Sequence, residues 1–526
     1  MRTLMLPTLA AALAMHTACS SSEYAMGRNA SPDMDTGWAG APGEAGDGDG
    51  GLDTATPDLI PIGNSIRPQA SRQYVFIANP ERDSVTRIDA SSREVRTASV
   101  GRYPRVVRTT PSGMMAVVLN LVDASVTLLD ADSLQGPTVP VRSNVNQLAI
   151  SPDGGAAVLW FDQDALRAND PSPGGAVSFN EVGIVSLASG TFTPVVVGFN
   201  PTRVRFDAAG DVAVVAADSS LAVIDLRDPA ARPTFIPIAD PLDPPRADDI
   251  ALSRSGAFAY VRQADEEGIA VVDIAARTVD YLAIGADLTD LQLSPDGSRG
   301  VVLSRGDRKL VLFDAENPFG PLDEVALPSE GPAFSRLLFD REDQGILYAG
   351  GTGASRLGIW STADGEVQPL ALRKPASAIG RARGADTLLV VHPTTNNPDG
   401  STPSYLRDRH AVSLIDLVDG RPNSIAFDAP PLDVSHSPDG LYGYVILDGL
   451  PFLEVLDYAS LLHHEVRLRS TPVFVGVLPD LDPDDGVPPD AWVSQEHDLG
   501  RLSFYAPVTG ALQTITGFEL NAAIED

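Results

Sequence analysis

The chain has little cysteine and few basic residues, and each shortage excludes a class of protein. It has 526 residues and one cysteine, Cys19, so an internal disulfide and a zinc–thiolate cluster are both excluded. Its 38 Lys and Arg residues stand against 70 Asp and Glu residues, which gives a net charge of −32. A nucleic-acid backbone or an anionic membrane surface would repel such a protein. We therefore expect no nucleic-acid partner.

The motifs of common enzymes are also missing. The sequence has no G-x-S-x-G elbow, no HExxH, no Walker loop and no GxGxxG that follows a strand. The Gly-rich stretch at 350–358 lacks the spacing and the following helix that phosphate binding requires. Helical periodicity is scarce after the N-terminus, whereas 43 Pro and 46 Gly supply the many turns of an all-β chain. The sequence thus predicts an all-β protein without catalytic residues or a cofactor.

A repeated phrase organises the chain instead: an apolar strand, usually ended by Asp, returns about every 46 residues. The ten copies are SVTRID (84–89), SVTLLD (125–130), VGIVSL (182–187), LAVIDL (221–226), IAVVDI (269–274), LVLFDA (310–315), LGIWST (357–362), VSLIDL (412–417), LEVLDY (453–458) and LSFYAP (502–507). A strand-built repeat with a period in the forties is typical of β-propeller blades.

A second phrase marks the turn between the first two strands of a unit. SPDG stands at 151–154, 294–297 and 437–440, with variants at 110–113, 207–210 and 253–256. Pro presets φ, Asp bonds back to the backbone, and Gly takes the left-handed position that closes a hairpin. We therefore interpret these acidic turns, and the Asp that ends each repeated strand, as turn formers and not metal ligands. Positive φ is predicted for Gly154, Gly297 and Gly440.

These phrases resemble the repeats of YVTN-type propellers and of the lactonase-like and Tol-system propeller families. Units of those families read apolar strand, SPDG, a YVAN-like strand and a VSVID-like strand, and YVFIAN (74–79) followed by SVTRID (84–89) matches that order. The resemblance covers roughly residues 70–526. It implies a β-propeller of four-stranded blades. The ten copies predict about ten repeats in one large ring; two smaller propellers are the alternative. It implies no particular activity, because the fold hosts enzymes, receptors and scaffolds alike.

The ends of the repeat series predict how the ring closes. The first copy begins at a second strand, QYVFIAN (73–79), and aligning Gly517 with Gly101 sets NAAIED (521–526) against an inner strand. We therefore predict that 521–526 is the inner strand of the first blade and pairs with 73–78. Such an overlap would leave no exposed strand edge.

Two connections between second and third strands are longer than the others: 163–180 in the third copy and 393–410 in the eighth. In a propeller such connections lie on one face, and in a ten-blade ring the third and eighth copies are opposite each other. Insertions on one face of a repeat fold usually mark its binding face. Tolerated surface loops are the alternative.

Histidines and acidic clusters give weak metal signals. The histidines after the N-terminal segment lie on different predicted strands and loops, so we interpret them as scattered surface or core residues: His392, His410, His436, His463, His464 and His497. The stretch 478–490 approaches a calcium loop through Asp480, Asp482 and Asp484. However, its glycine comes one residue late, and Ala491 stands where a bidentate Glu is expected. A solvated turn is the default interpretation there, with calcium as the alternative.

The N-terminus resembles that of a bacterial lipoprotein. Residues 1–19 have a basic Arg2, an apolar run and then small residues before Cys19, a form too short and too weakly apolar for a mature transmembrane helix. Thr17 and Ala18 fit the lipobox, whereas His16 stands where Leu is usual. The resemblance implies that 1–18 is a signal peptide and that Cys19 is diacylated. Ser20, in place of an Asp, implies the outer membrane.

The segment 19–66 is rich in Gly, Ala and Asp, with eight acidic residues and one basic residue after Cys19. It cannot bury enough apolar surface to fold, so we predict a disordered tether ahead of a propeller at 67–526. The whole chain therefore predicts a protein of the cell envelope, anchored by lipid, that binds or scaffolds an envelope protein. The alternative is an envelope hydrolase or lactonase of the same fold, with or without a divalent cation. Acidic residues and a metal in the central channel would favour that alternative.

Overall fold

The computed structural model describes residues 66–162, 178–239, 247–263, 265–331, 333–349, 355–382, 385–483, 486–521 and 524–525. Within these ranges the chain forms strands β1 to β41 and two short 3-10 helices, Pro80–Arg82 and Phe518–Leu520. The strands build ten antiparallel sheets in one ring. Each sheet is a blade with strands A, B, C and D in chain order, from the channel outward, and the tenth sheet has the short β41 as a fifth strand. The prediction of a ten-blade, all-β propeller is confirmed, and the two-propeller alternative is wrong.

The strand bounds follow blade by blade. Blades 1 to 3 contain β1 Gln69–Ser71, β2 Tyr74–Asn79, β3 Ser84–Asp89, β4 Val95–Ser99, β5 Pro104–Thr109, β6 Met115–Asn120, β7 Ser125–Asp130, β8 Thr138–Pro140, β9 Gln147–Ile150, β10 Ala156–Trp160, β11 Glu181–Ser186 and β12 Thr191–Val196. Blades 4 to 6 contain β13 Arg203–Phe206, β14 Val212–Ala216, β15 Ser220–Asp225, β16 Thr234–Pro237, β17 Ala247–Leu252, β18 Phe258–Gln263, β19 Gly268–Asp273, β20 Thr278–Ala283, β21 Leu288–Leu293, β22 Arg299–Ser304, β23 Lys309–Asp314 and β24 Asp323–Ala326. Blades 7 to 10 contain β25 Arg336–Leu338, β26 Gln344–Tyr348, β27 Arg356–Ser361, β28 Val367–Ala371, β29 Ala378–Arg381, β30 Thr387–His392, β31 His410–Asp416, β32 Pro422–Phe427, β33 Pro431–His436, β34 Tyr442–Leu447, β35 Phe452–Asp457, β36 Leu462–Arg467, β37 Pro472–Val477, β38 Ala491–Gln495, β39 Arg501–Ala506, β40 Ala511–Thr516 and β41 Ile524–Glu525.

The SPDG turns fold as predicted. Gly154, Gly297 and Gly440 have φ of 70°, 70° and 71°, the left-handed region that glycine tolerates best. In the blade 6 turn, the Gly297 amide donates to the Ser294 carbonyl at 2.7 Å. The Ser294 hydroxyl donates to Asp296 at 2.6 Å, and that carboxylate accepts the Ser298 amide at 2.9 Å. The Asp296 carboxylate therefore forms its hydrogen bonds within its own turn.

The Asp at the end of strand C is likewise a turn former. Asp130 accepts hydrogen bonds from the amide and hydroxyl of Ser133, both at 2.8 Å, and these bonds lower the pKa of Asp130. Asp314 accepts the amide of Glu316 at 2.8 Å in the same way. A carboxylate that caps backbone amides is stabilised in its charged form. The prediction that these carboxylates shape the C–D turn is confirmed.

The core consists of apolar clusters between the faces of adjacent blades. Each adjoining pair of blades shares one such cluster, including the pair formed by blade 10 and blade 1. Strands B and C supply most of these side chains, because both faces of their sheets are covered and their sequences are almost continuously apolar.

The ring closes without exchange of strands, so the predicted pairing of 521–526 with 73–78 is wrong. Strand A of blade 1 is β1, which pairs with β2 from Ser71 and Tyr74 onward. At the other end of the chain, β41 pairs with β40, the outer strand of blade 10. Sequence reasoning missed β1 because it has three residues and a two-residue turn with neither Pro nor Gly. Arg72 takes the left-handed conformation there instead, with φ of 52°.

Side chains hold blade 10 against blade 1. Phe518, which is 3% exposed, packs into their shared cluster, and its carbonyl accepts the Thr86 hydroxyl at 3.2 Å. The Arg93 guanidinium lies 4.2 Å from the centre of the Phe504 ring and donates to Asp490 at 3.1 Å. Arg82 pairs with Glu519 at 2.8 Å. These contacts replace the strand exchange that the sequence predicted.

Every blade presents its loops at one of two rims. The B–C loops and the D–A connections lie at one end of the strands, which we call the B–C rim. The A–B and C–D turns lie at the opposite end, which we call the A–B rim. Both long loops predicted from the sequence belong to the B–C rim, in blades 3 and 8.

Candidate functional site

A short polar ladder stiffens the B–C rim in four blades. In each, the last side chain of strand B bonds to a hydroxyl of strand C, which bonds to a hydroxyl of strand D. The ladders are Asn79–Thr86–Thr97 (2.9 and 3.2 Å), Asn120–Thr127–Thr138 (3.0 and 3.0 Å), His392–Ser413–Ser424 (2.7 and 2.8 Å) and Gln495–Ser503–Thr514 (2.6 and 2.7 Å). Such a ladder ties three strands at the point where the loops leave the sheet.

The ladder of blade 8 has a definite direction of donation. Burial lowers the pKa of His392 to about 4, so the ring is neutral at pH 7. Its Nδ1 lies 2.9 Å from the Pro375 carbonyl, which can only accept, so Nδ1 carries the proton. Nε2 therefore accepts from Ser413, and Ser413 accepts from Ser424. This chain of bonds joins the D–A connection to all three outer strands of blade 8.

A buried lysine fixes the long B–C loop of blade 8. Lys374 lies in the D–A connection ahead of blade 8 and has no exposed surface. Its ammonium donates to the carbonyls of Thr394 at 3.2 Å, Leu406 at 3.0 Å and Arg409 at 2.6 Å. Burial lowers the pKa of Lys374, and Asp408 opposes that shift. The three donors of an ammonium are thus all used on the backbone of one loop.

Further bonds hold the loop against the same connection. Asn397 is buried and donates its amide to the Arg373 carbonyl at 3.1 Å and to Ser401 at 2.9 Å. Arg409 at the end of the loop pairs with Asp428 at 2.7 Å. The Arg373 guanidinium donates to the hydroxyl of Tyr405, a residue that is 45% exposed. The loop therefore presents a tyrosine from a preorganised backbone.

The opposite side of the rim carries an aromatic cluster. In blade 3 the middle of the long loop, 163–177, lies outside the described residues, but both of its ends are described. Phe161 and Phe179 flank it and meet edge to face, with ring centres 5.5 Å apart. The ring centre of Phe199, in the next D–A connection, lies 6.2 Å from the ring centre of Phe179. Phe199 is 64% exposed and Phe179 is 39% exposed.

The channel wall contains the acidic residues on which a hydrolase would depend. Asp249 and Asp290 lie on the inner strands of blades 5 and 6, and Asp249 pairs with Arg262 at 2.5 Å. Asp290 accepts the Leu337 amide of the next inner strand at 2.7 Å. Burial, followed by the charge of Asp249, raises the pKa of Asp290 to about 7.

A third inner-strand carboxylate has the same structural role. Asp433 in blade 9 accepts the Val475 amide of blade 10 at 2.9 Å and the Arg67 guanidinium at 2.8 Å. Burial raises the pKa of Asp433, although Arg67 opposes the shift. The edge of an inner strand faces the channel and has no neighbouring strand to pair with, so side chains from the preceding blade satisfy its backbone.

The histidines named from the sequence do not converge. His392 belongs to the ladder, His436 is buried beside Tyr458, and His464 bonds to Tyr505 at 2.9 Å. His463 lies 3.9 Å from Glu454, and burial lowers the pKa of His463 and of His410. His497 accepts the Leu499 amide at 3.1 Å in the B–C loop of blade 10. In the described ranges no three His, Cys, Asp or Glu side chains are grouped to hold a metal ion.

The remaining predicted sites lie wholly or partly outside the described residues. Cys19 and the rest of residues 1–65 are among them. In the acidic A–B loop of blade 10, the Asp480 carboxylate accepts the Asp482 amide at 3.1 Å, as in an ordinary turn, whereas Asp484 is not described. No helix in the described part of the chain is long and apolar enough to cross a membrane.

Sequence reasoning missed Lys374 and the ladders. A lone lysine before a strand carries no signature, because its role depends on a loop that follows 20 residues later. The ladders did leave a signal: YVFIAN and MAVVLN each end in Asn, and a Thr follows seven residues later. That spacing identifies two side chains that face each other across a short hairpin.

Comparisons with known proteins bear on the fold. No protein-family model matches the chain, and no curated protein sequence matches it. A solved structure of the eukaryotic initiation factor aligns with a TM-score of 0.52 and 12% identity, over 76% of this chain and 97% of its own. Dihydro-heme d1 dehydrogenase NirN in complex with DHE aligns with a TM-score of 0.42 and 17% identity, over 68% of this chain and 73% of its own. Hydrazine synthase of Kuenenia stuttgartiensis aligns with a TM-score of 0.32 and 19% identity, over 70% of this chain and 96% of its own. At 12% identity the likeness to the initiation factor shows the fold alone, and the other two structures, with TM-scores under 0.5, carry no argument.

Proposed function

We propose that this protein is a lipid-anchored protein of the cell envelope that binds or scaffolds a protein partner on its B–C rim, and that it is not an enzyme. The observation that carries the proposal is the long loop of blade 8. A tolerated insertion needs no fixed conformation, yet this loop uses a buried lysine to fix its backbone. A loop that is ordered before it meets a partner loses less conformational entropy on binding.

The exposed side chains of the rim suit a protein partner. Tyr405 stands on one side of the channel mouth, and Phe179 and Phe199 stand on the opposite side. Partly exposed aromatic residues within a polar surface are the composition of interface hot spots. The resemblance of the N-terminus to lipoproteins, with Cys19 as the acylated residue, supports the location at the outer membrane. The resemblance of the repeats to YVTN-type propellers fits a binding role without naming the ligand.

Site-specific photocrosslinking in intact cells tests the rim. A photoreactive residue replaces Tyr405 or Phe199 on the B–C rim, and Val418 serves as the control. Val418 is 78% exposed on the A–B rim of the same blade as Tyr405. We expect one discrete adduct from positions 405 and 199 and none from 418. Adducts of equal strength from all three positions, or from none, would refute a partner site on the B–C rim.

A second candidate function rests on Asp290. A carboxylic acid with a pKa of about 7 beside another carboxylate is a pattern found in hydrolases. We rank this envelope hydrolase or lactonase second, because Asp290 binds a backbone amide and Asp249 binds an arginine. Asp290→Asn distinguishes the two functions. A hydrolase would lose activity toward esters or lactones, whereas a binding protein that carries the photoreactive residue at position 405 would keep its crosslink.

A further inference from the structure

The root of the N-terminal tether lies on the B–C rim. Strand β1 runs from Gln69 to Ser71, where the A–B turn begins, so its first residue is at the opposite, B–C end. The chain therefore enters the ring at the B–C end of the channel. Ile66 packs against the cluster between blades 1 and 2. On the other side, Arg67 reaches the inner strands of blades 9 and 10.

Arg67 fixes this entry point. Its guanidinium donates to Asp433 at 2.8 Å and to the Val475 carbonyl at 2.8 Å. It also lies 5.8 Å from the centre of the Phe474 ring and 5.9 Å from that of Trp492. Blades 9 and 10 thus hold the residue from which the predicted tether departs. The tether cannot leave from the A–B rim unless these contacts break.

We infer that the B–C rim is turned toward the membrane that holds the anchor, and that its partner is a protein embedded in or bound to that same membrane. The inference rests on the proposed lipid anchor at Cys19 and on the tether predicted at 19–66, of which 19–65 lie outside the described residues. About 47 residues separate Cys19 from Arg67, and a flexible chain of that length has a root-mean-square span of about 40 Å. The described ends of the long loops of blades 3 and 8 lie on the same rim as Arg67.

The opposite orientation would take up most of the span of the tether. To bring the A–B rim to the membrane along the outside of the ring, the tether would have to cross the four strands of a blade, about 15 Å at about 4.8 Å per spacing, after leaving the channel. It would then have to pass the height of a six-residue strand, about 20 Å, before reaching the anchor. Together the two steps take up about 35 Å of the roughly 40 Å span. The distance between the ring and the membrane comes in addition. The lipid surface itself is an unfavourable occupant of the rim, because a protein of net charge −32 is repelled by anionic lipid.

Fluorescence quenching in vesicles tests the orientation. The full-length, acylated protein carries a small fluorescent amino acid at position 405 or at position 418 and is reconstituted into phosphatidylcholine vesicles with quencher-labelled headgroups. These two positions lie on opposite rims of blade 8. We expect quenching at 405 to exceed that at 418 by about threefold. Equal quenching, or stronger quenching at 418, would overturn the inferred orientation.

Two controls separate this inference from the proposed function. Cys19→Ser should abolish quenching at both positions; if Cys19→Ser stays on the vesicles, the proposed anchor is wrong and the orientation argument fails with it. Doubling the tether with Gly and Ser residues should reduce the contrast between 405 and 418, because a longer chain allows either rim to approach. A contrast unchanged by the longer tether would mean that the tether does not set the orientation.

The nature of the partner is tested in cells. In the Cys19→Ser variant the ring loses its own anchor, so its crosslinked adduct at position 405 fractionates as the partner does. We expect the adduct to remain with the membranes while uncrosslinked protein is released. A released adduct would show that the partner is not a membrane protein, and would overturn this part of the inference without affecting the binding rim.

Discussion

Two interfaces of the ring each rely on an arginine–aspartate pair but bury it very differently. Between blades 7 and 8, Arg381 and Asp340 are 0% and 1% exposed, and the guanidinium also donates to Gln344 at 2.8 Å. At the closing seam, Arg67 is 39% exposed and reaches past blade 10 to Asp433 in blade 9. A D–A connection joins blades 7 and 8, whereas no chain segment joins blade 10 to blade 1.

The difference shows where each interface obtains its stability. Blades 7 and 8 are held by residues of the repeat itself and by the connection between them. The seam depends on segments outside the repeat: the entry of the chain at Arg67 and the 3-10 helix Phe518–Leu520. The tether of the proposed anchor is therefore attached to the part of the ring that lacks a covalent connection.

Breaking the buried pair of the internal interface should have the largest effect. Arg381→Met leaves the buried Asp340 carboxyl group without its partner, so we expect a loss of about 3–5 kcal/mol in the free energy of unfolding. Urea unfolding measures it. Arg341→Met in the same region is the control: Arg341 pairs with the exposed Asp343 and Asp386, and its loss should cost under about 1 kcal/mol. Equal costs would mean that burial does not distinguish the two arginines.

The aromatic contact of the seam should come next. Phe518→Ala removes a ring that is 3% exposed in the cluster between blades 10 and 1, with an expected loss of about 3 kcal/mol. Leu520→Ala, two residues later and 53% exposed, should change stability by less than about 0.5 kcal/mol. Thermal unfolding of both variants compares them. If Phe518→Ala melted like Leu520→Ala, the seam would not depend on this helix.

Arg67→Met should weaken the seam less than Arg381→Met weakens its interface, because solvent screens the exposed guanidinium. We expect a loss of about 2 kcal/mol at pH 8. Burial already raises the pKa of Asp433, and removing the cation raises it further, so Asp433 protonates as the pH falls and the loss should shrink by pH 5. Urea midpoints at the two pH values measure this. A loss that grew as the pH fell would contradict it.

These elements also differ in how well the sequence predicted them. The turns at Gly154, Gly297 and Gly440 were predictable because four local residues contain the whole mechanism. The ten copies were predictable because each blade repeats the same burial pattern. The closing seam was not: β1 is too short to show a repeat, and the roles of Arg67 and Phe518 depend on partners more than 360 residues away. Lys374 was missed for a similar reason, since only the folded loop brings three carbonyls to its ammonium.

The interface between blades 8 and 9 allows a more specific test, in which the effect depends on pH. Glu454 on strand C of blade 9 stands where the ladders of blades 8 and 10 have a serine, Ser413 or Ser503. It is 2% exposed and lies directly opposite Glu465. In the described structure its Oε2 has no hydrogen-bond donor, and His463 lies 3.9 Å away. Arg467 on the same face is drawn to the Phe452 ring.

Burial, and after it the charge of Glu465, raises the pKa of Glu454 to about 7 from its ordinary value of 4.5. A carboxyl group whose pKa is higher in the folded state binds its proton more tightly there than in the unfolded chain. Its contribution to stability is therefore largest below pH 4.5, falls between pH 4.5 and 7, and is constant above pH 7.

Glu454→Gln keeps the shape of the protonated group at every pH. We expect the variant to be close to the wild type at pH 4.5 and to be more stable by up to about 3 kcal/mol at pH 8. Urea unfolding across this range measures the difference. Glu465→Gln, on the exposed strand, should keep most of the slope, because burial of Glu454 is its larger cause. A Glu454→Gln variant that followed the wild-type pH profile would show that Glu454 finds a donor in solution and that blade 9 is as well satisfied as its neighbours.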